Sequence, residues 1–165
     1  MGQGLMPDFF LPDIYKIDKD FLRQNNIAGL LLDVDNTLIS NTVTNADEKL
    51  SAWVSERIKD GTKLCIVSNG KGKRVKTFNV FEIPAVHNAH KPARHGFIKA
   101  AALLELKIEE TAVVGDQIYT DILGGNHAGF TTILISPIDK FENMFIRLKR
   151  VMEKPILRRI KERDI

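Results

Sequence analysis

Residues 29–39 read Gly29-Leu30-Leu31-Leu32-Asp33-Val34-Asp35-Asn36-Thr37-Leu38-Ile39, an aliphatic run that stops abruptly at two carboxylates. Short, near-continuous aliphatic runs mark strands buried on both faces, as in parallel sheets. Ligands of open α/β sheets bind just beyond the carboxyl ends of such strands, which is where Asp33 and Asp35 fall. Alternation along an extended chain sets residues two apart on one side, so both carboxylates are expected to face a single crevice. A metal site or an acid–base pair is one reading of this pair, and an Asx-rich turn closing the strand is the other. The rest of the chain decides between them.

At 165 residues the sequence is expected to form one domain over 1–165, with an N-terminal arm (1–28), a core (29–137) and a basic helical tail (138–165). A chain of this size buries roughly two-thirds of its unfolded surface and needs no disulfide staples. The single cysteine, Cys65, lies within Leu64-Cys65-Ile66-Val67 and reads as a small buried hydrophobe rather than a reactive thiol. One cysteine also fits a reducing, cytoplasmic setting. No apolar run approaches the ~20 residues of a spanning helix, and no charged-then-apolar leader opens the sequence. Met1-Gly2 begins a myristoylation pattern that Met6, in place of Ser or Thr, breaks.

Net charge is +3, unevenly spread. Nine Lys or Arg against four Asp or Glu give residues 140–165 a net +5, so the preceding 139 residues sum to −2. A basic tail suits an anionic membrane face, a nucleic acid or plain solubility, and charge alone does not choose among them.

In chain order, Pro7 and Pro12 bracket the aromatic segment Asp8-Phe9-Phe10-Leu11, which predicts an extended arm laid on the domain, then a short helix near Lys19 to Asn25. After the opening strand, Asn45 and Glu48 form a loose capping box. Leu50, Trp53, Val54 and Ile58 follow at helical spacing up to Gly61. Lys63–Val67 is a second buried strand, ending at Ser68-Asn69-Gly70. Lys71, Lys73, Arg74 and Lys76 then crowd a helix start that the peptide dipole would rather fill with acids, which suits a nearby anion or a solvated face. Ile83–Ala89 reads as a third strand. Lys91-Pro92 leads into a helix running through Phe97, Ile98, Ala101, Leu104 and Leu106.

His87, His90 and His95 lack acidic or cysteine companions at ligand spacing and are expected at the surface. Thr111–Gly115 is a fourth strand with Asp116 at its end, Gln117–Asp121 opens a helix, and Thr131–Ile135 is the fifth strand. Five strands alternating with helices predict an α/β fold with a mainly parallel sheet between helices. From Asp139 the pattern is amphipathic, with Phe141, Phe145, Ile146, Leu148 and Met152 on one side, until Pro155 breaks or restarts the helix.

Polar residues interrupt this apolar pattern at four strand ends: Asp33 with Asp35, Ser68, Lys91, and Asp116 with Asp121. One edge of a parallel sheet gathers them. Hard carboxylate oxygens suit Mg²⁺, while a lysine and a hydroxyl hold phosphate oxygens, the equipment of metal-assisted phosphoryl transfer. The stretches Asp33-Val34-Asp35-Asn36-Thr37-Leu38, Ser68-Asn69-Gly70, Lys91-Pro92 and Gly115-Asp116-Gln117-Ile118-Tyr119-Thr120-Asp121 resemble, in order, the four motifs of haloacid-dehalogenase-type (HAD) phosphatases. The run Ile122–Asn126, the Pro-rich arm and the basic tail narrow the resemblance to the YqeG-type members of subfamily IIIA, which are similar to phosphatidylglycerophosphate phosphatases.

The resemblance implies a Rossmann-like HAD fold and roles residue by residue. Asp33 would be the nucleophile that forms an aspartyl-phosphate. Asp35 would be the general acid and then base, lending its backbone carbonyl to Mg²⁺. Ser68, Asn69 and Lys91 would hold phosphate, with Lys91 also neutralising charge. Asp116 would complete the metal ligands Asp33, Asp35 and Asp116, and Asp121 would order the metal's surroundings.

Only 32 residues separate Asp35 from Ser68, and 22 separate Ser68 from Lys91, so no large cap domain is expected. An uncapped site suits a phosphorylated substrate that is lipid-linked or macromolecular. The leading expectation is a phosphatidylglycerophosphate-like phospholipid met by a cytoplasmic enzyme sitting peripherally on an anionic membrane. The alternatives are a protein or nucleotide phosphatase, or a ribosome- or RNA-associated HAD-fold module with little catalysis. Oligomeric state is not legible.

Overall fold

A computed structural model of the chain describes residues 4–40, 46–70, 81–139 and 144–163. Its centre is a parallel sheet in the order β1-β6-β5-β2-β3-β4. The strands are β1 (Phe9–Leu11), β2 (Gly29–Leu32), β3 (Lys63–Val67), β4 (Ala85–Val86), β5 (Thr111–Gly115) and β6 (Thr131–Ile135). The helices are α1 (Lys19–Gln24), α2 (Glu48–Lys59), α3 (Arg94–Leu104), α4 (Leu123–Ala128) and α5 (Met144–Arg163). Leu30, Leu31 and Leu32 pair with Leu64, Cys65 and Ile66 on one side and with Ala112, Val113 and Val114 on the other. All three leucines are fully buried, the outcome their unbroken aliphatic run predicts.

Alternation divides the core between the two faces of the sheet. Leu30, Leu32, Ile66, Val114 and Ile133 pack with Leu50, Trp53 and Val54 of α2 and with Leu22 of α1. Leu31, Cys65 and Val113 pack on the other face with Phe97, Ala101 and Leu104 of α3 and with Phe130. A third cluster joins Leu134 to Ile118, Ile122 and the tail residue Ile160. Burying a side chain of this size contributes about 1.5–3 kcal/mol. Trp53 is core, as expected, and its indole N–H donates to Ile17 O at 3.0 Å, beside the buried Arg57, which donates to the same carbonyl.

The sheet has one strand more than the sequence pattern predicts. The arm does not merely lie on the domain: Phe9, Phe10 and Leu11 pair in register with Ile133, Leu134 and Ile135. Three residues between two prolines are too short to show a strand period, and an edge position tolerates the proline's missing N–H because only one side of the strand bonds. Asp8 anchors the start by accepting from Thr132 N at 2.9 Å, and Phe9 meets Phe21 of α1 edge-on at 5.2 Å.

Several local expectations are corrected. The cap of α2 is Asp47, which accepts from Leu50 N at 2.7 Å. Asn45 and the cations Lys71, Lys73, Arg74 and Lys76 lie outside the described residues, as do the side chains of Phe141, Phe145, Ile146 and Leu148. The third strand shortens to two residues, and α3 begins at Arg94, two residues past Pro92, and ends before Leu106. Ile58 and Ile98 are about half exposed, because each helix has a narrower inward stripe than its apolar content suggests. In the tail, α5 runs through Pro155 without a break, and Met152 faces outward at 56% exposure. Among the described side chains of α5 the buried positions are Glu153 and Ile160 instead. No helix among the described residues is long and apolar enough to cross a membrane.

Cys65 is fully buried in β3, and that burial pushes its thiol up to about 12. The thiolate is the reactive form, so a thiol-alkylating reagent at about pH 8 should label the native protein only at the rate of global unfolding and label the urea-unfolded chain at once. Rapid labelling without denaturant would show that the centre of the sheet opens locally.

Candidate active site

The chain runs from β2 outward through β3 and β4, then returns to the other side of β2 as β5. This reversal creates a topological switch point between β2 and β5, where the loops diverge and leave a crevice at the carboxyl ends. Asp33 follows β2 and Asp116 follows β5, one on each side of it. Asp33 N still donates to Val114 O at 3.0 Å, which fixes its position to the sheet.

Around this point the structure gathers three carboxylates and one ammonium, all buried. Oxygens of Asp33, Asp116 and Asp121 lie within 4.8 Å of one another. Lys91 Nζ reaches Asp33 Oδ1 at 2.5 Å and Asp121 Oδ1 at 2.7 Å. Thr37 Oγ1 donates to Asp116 Oδ1 at 3.0 Å. The second oxygen of Asp33, Oδ2, is buried and has no hydrogen-bond partner among the described residues. A buried, unmatched carboxylate oxygen is costly.

The electrostatics follow from that inventory. Burial alone would lower the Lys91 pKa, but Asp121 and then Asp33 outweigh it and hold the ammonium protonated well above its ordinary value. Among the described residues, one cation stands against three acids. Burial, with Asp121 and Asp116 adding repulsion, therefore raises Asp33 from 3.8 to about 8 against the pull of Lys91. A divalent cation bound by hard oxygens would cancel the remaining negative charge and occupy the orphaned Asp33 Oδ2. The donor set fits Mg²⁺ on these grounds.

Loop chemistry sets each of these groups in place. After β5 the chain turns through a π-helical segment, Ile118–Ile122, that swings Asp121 back over Gly115. A Cβ on Gly115 would overlap the Asp121 side chain, so only glycine leaves room for that carboxylate. Asp121 Oδ2 accepts from Gln117 N at 3.2 Å. Lys91 is clamped at its backbone by Asn69, whose Oδ1 accepts from Lys91 N at 2.7 Å and whose Nδ2 donates to Lys91 O at 3.2 Å. Ser68 is buried at the end of β3, and its Oγ accepts from Gly70 N at 3.0 Å. Asn36, at φ +67°, grips Asp139 N at 2.7 Å and Asp139 O at 3.0 Å, and so ties the loop after β6 to the loop after β2.

Of the residues singled out in the sequence, Asp33, Lys91, Asp116 and Asp121 meet directly. Ser68 and Asn69 stand at the adjoining strand end. Asp35 is half-buried in the loop after β2, and its side chain is outside the acidic cluster. His87, His90 and His95 are exposed, as expected. The Asn69 clamp and the Thr37 contact were not legible, because each pairs residues that are distant in sequence, and the seat at Gly115 was not, because it depends on how the π-helical turn folds back on the strand end.

A family profile described as HAD-hydrolase-like matches residues 88–137. The chain is 38% identical over 159 residues to the protein named "Probable phosphatase YqeG" of Bacillus subtilis, covering 96% of this chain and 92% of that one. The chain belongs to the YqeG-type HAD phosphatases. It is therefore an enzyme of the phosphatase class, and its parallel sheet is the HAD form of the Rossmann-like fold. This YqeG-type chain is also 29% identical over 175 residues to phosphatidylglycerophosphate phosphatase 1 of Arabidopsis thaliana, spanning about half of that longer protein. Among solved structures, 3-deoxy-D-manno-octulosonate 8-phosphate phosphatase of Moraxella catarrhalis, determined with magnesium and phosphate, shares the fold. The TM-score is 0.53 at 16% identity, covering 70% of this chain and 73% of that one.

The Asp33 shift gives a pH dependence with a definite sign. Without divalent cation, the unfolded chain releases the Asp33 proton near 4 and the native protein holds it to about 8, so this group's contribution to stability is lost as pH rises between those values. Mg²⁺ should accordingly raise Tm more at about pH 8 than at about pH 5.5, measured against EDTA by thermal unfolding, and Asp33→Asn should flatten the difference. An equal Mg²⁺ effect at both pH values would contradict the excess negative charge assigned to the cluster.

Proposed function

We propose that this YqeG-type phosphatase hydrolyses a phosphate monoester in a Mg²⁺-dependent reaction through an aspartyl-phosphate, with phosphatidylglycerophosphate or a similar anionic phospholipid as substrate. The observation that carries the reading is the buried cluster Asp33, Asp116, Asp121 and Lys91 at the switch point of the sheet.

In this reading Asp33 Oδ2, the oxygen left unmatched, or its partner Oδ1 attacks phosphorus in line with the leaving oxygen. Asp35 lies two residues on, half-buried in the loop after β2, and serves first as acid and then as base toward water. Lys91 keeps its charge while bonded to Asp33 and stabilises the negative charge that accumulates on the phosphoryl oxygens. Ser68 Oγ and the backbone near Asn69 hold those oxygens. Asp33, Asp116 and the Asp35 carbonyl would ligate Mg²⁺, with Asp121 holding Lys91 and the loop beside it. When bound, Mg²⁺ supplies charge neutralisation to nucleophile and phosphate together.

The lipid assignment rests on three supports. The spacing between motifs leaves no length for a large cap domain. The Arabidopsis relative is named for phosphatidylglycerophosphate. The outward side of α5 exposes Val151 and Met152 beside Lys154 and Arg159, apolar groups among cations, and each cation near an anionic surface adds about 1 kcal/mol of attraction.

Two measurements test the proposal. A Mg²⁺-dependent screen of phosphatidylglycerophosphate, phosphopeptides, nucleotides and sugar phosphates should favour the lipid. Asp33→Asn should lose about 10⁴-fold or more in kcat, the scale expected when a covalent nucleophile is removed. Clear selectivity for a soluble sugar phosphate would overturn the substrate, and near-normal turnover by the Asn variant would overturn the nucleophile. Separately, sedimentation with anionic liposomes should exceed that with neutral ones and fall with salt, whereas equal or absent binding to both would remove the peripheral-membrane element.

A further inference from the structure

The tail helix α5 reaches into the loop that carries the acidic cluster. Glu153 is 1% exposed, in a helix whose described side chains are otherwise largely basic or aliphatic. Its Oε1 accepts from Ile118 N at 2.9 Å, across 35 residues of sequence. Ile118 is the first residue of the π-helical turn that lies between Asp116 and the rest of α4 and contains Asp121. The residue before the turn, Gln117, offers no side-chain cap of its own. A carboxylate from the tail therefore satisfies the first N–H of the turn, one of the donors that a helix start leaves without an intrahelical partner. The neighbouring residues reinforce the junction, with Tyr119 Oη donating to Met152 O at 3.4 Å and Ile160 packed against Ile118, Ile122 and Leu134.

The consequence is geometric. π-helical turns are rare and locally less favourable than α-helix, and this one must hold Asp121 against Gly115 while Asp121 holds Lys91. Within the segment, Asp121 N and Ile122 N donate to Gln117 O, and Gln117 N donates to Asp121 Oδ2, so the turn is closed on Gln117. The backbone N–H of Ile118 is fixed from outside the loop, by one buried, charged acceptor. Groups that orient metal-ligating loops commonly change metal affinity by 10–100-fold when removed.

We propose that Glu153 is a positioning residue for the metal loop, so that the C-terminal helix is part of the apparatus that shapes the cation site and not only a surface attachment. This rests on reading the acidic cluster as the Mg²⁺ site. Glu153 touches neither substrate nor metal. It acts through Ile118 N on the placement of Asp116 and Asp121.

The test compares the full chain with Glu153→Gln, which keeps an acceptor oxygen, and Glu153→Met, which fills the same space without one. Leu157→Ala, which trims a partly buried side chain packed on the cluster of Ile118, Ile122, Leu134 and Ile160, serves as a tail-packing control and Asp116→Asn as a control for the site. Mg²⁺ binding is measured by calorimetry, and backbone amide exchange is followed over residues 116–123. Glu153→Met should weaken Mg²⁺ binding at least about tenfold and deprotect the Ile118 amide. Glu153→Gln should stay within about threefold of the parent. In turnover assays Glu153→Met should raise the Mg²⁺ concentration for half-activation while leaving kcat at saturating Mg²⁺ nearly unchanged. Leu157→Ala should lower Tm without moving Mg²⁺ affinity.

Parent-like Mg²⁺ binding by Glu153→Met, or an equal loss in Leu157→Ala, overturns the positioning role while Asp116→Asn still loses the metal. Retained Mg²⁺ affinity in Asp116→Asn overturns the site reading itself.

Discussion

The structure depends on a buried charge imbalance: among the described residues one ammonium, Lys91, is held among the buried carboxylates of Asp33, Asp116 and Asp121. Ionised groups resist burial unless they are paired and hydrogen-bonded, and here the pairing is incomplete by design of the strand ends. Lys91 bridges Asp33 and Asp121, Thr37 supports Asp116, and one oxygen of Asp33 is left over. The surroundings must be rigid enough to hold like charges together, and much of the fold at this edge serves that end. Three aliphatic strands fix Asp33 and Asp116 across the switch point, the Asn69 amide clamps the backbone of Lys91, and Gly115, lacking a Cβ, leaves room for Asp121.

The same constraint explains why the termini are woven into the domain. The arm adds strand β1 to β6 and so completes the side of the sheet from which the loop after β6 departs. That loop is gripped by Asn36 from the loop after β2. Beside the arm, in the same apolar cluster as Phe10, α5 plants Glu153 on the first amide of the π-helical turn and Ile160 against its apolar side. Both ends of the chain therefore bear on loops of the site, while the outer side of α5 presents Val151, Met152 and cations to the surroundings.

Local pattern made the core strands legible. Leu30–Leu32, Leu64–Val67 and Val113–Val114 are unbroken aliphatic runs, and such runs have few stable placements other than a doubly covered parallel sheet. The polar residues that end them had to fall at one edge, so Asp33, Ser68, Lys91 and Asp116 were found as a set. Patterns failed where the deciding contact was not periodic. Phe9–Leu11 is too short to display alternation, and it is a strand only because β6 offers an edge. Met152 was assigned inward from helical spacing, yet the side of α5 that docks is fixed by Glu153 and Ile160, and an acid on the inward stripe at 153, 156, 157 and 160 was the available signal.

What the sequence determined by itself is the order of strands and helices, the chemical types at the strand ends and the family motifs they spell, because hydrophobic period and residue chemistry are local properties. Only the tertiary structure decided that Asp121 shares Lys91 with Asp33, that Asn69 holds the backbone of Lys91, that the arm is a sixth strand and that a glutamate near the C-terminus caps the turn bearing Asp121. Each of those depends on two segments far apart in sequence arriving within hydrogen-bond distance, and that is set by how the layers pack on the sheet rather than by any window of residues.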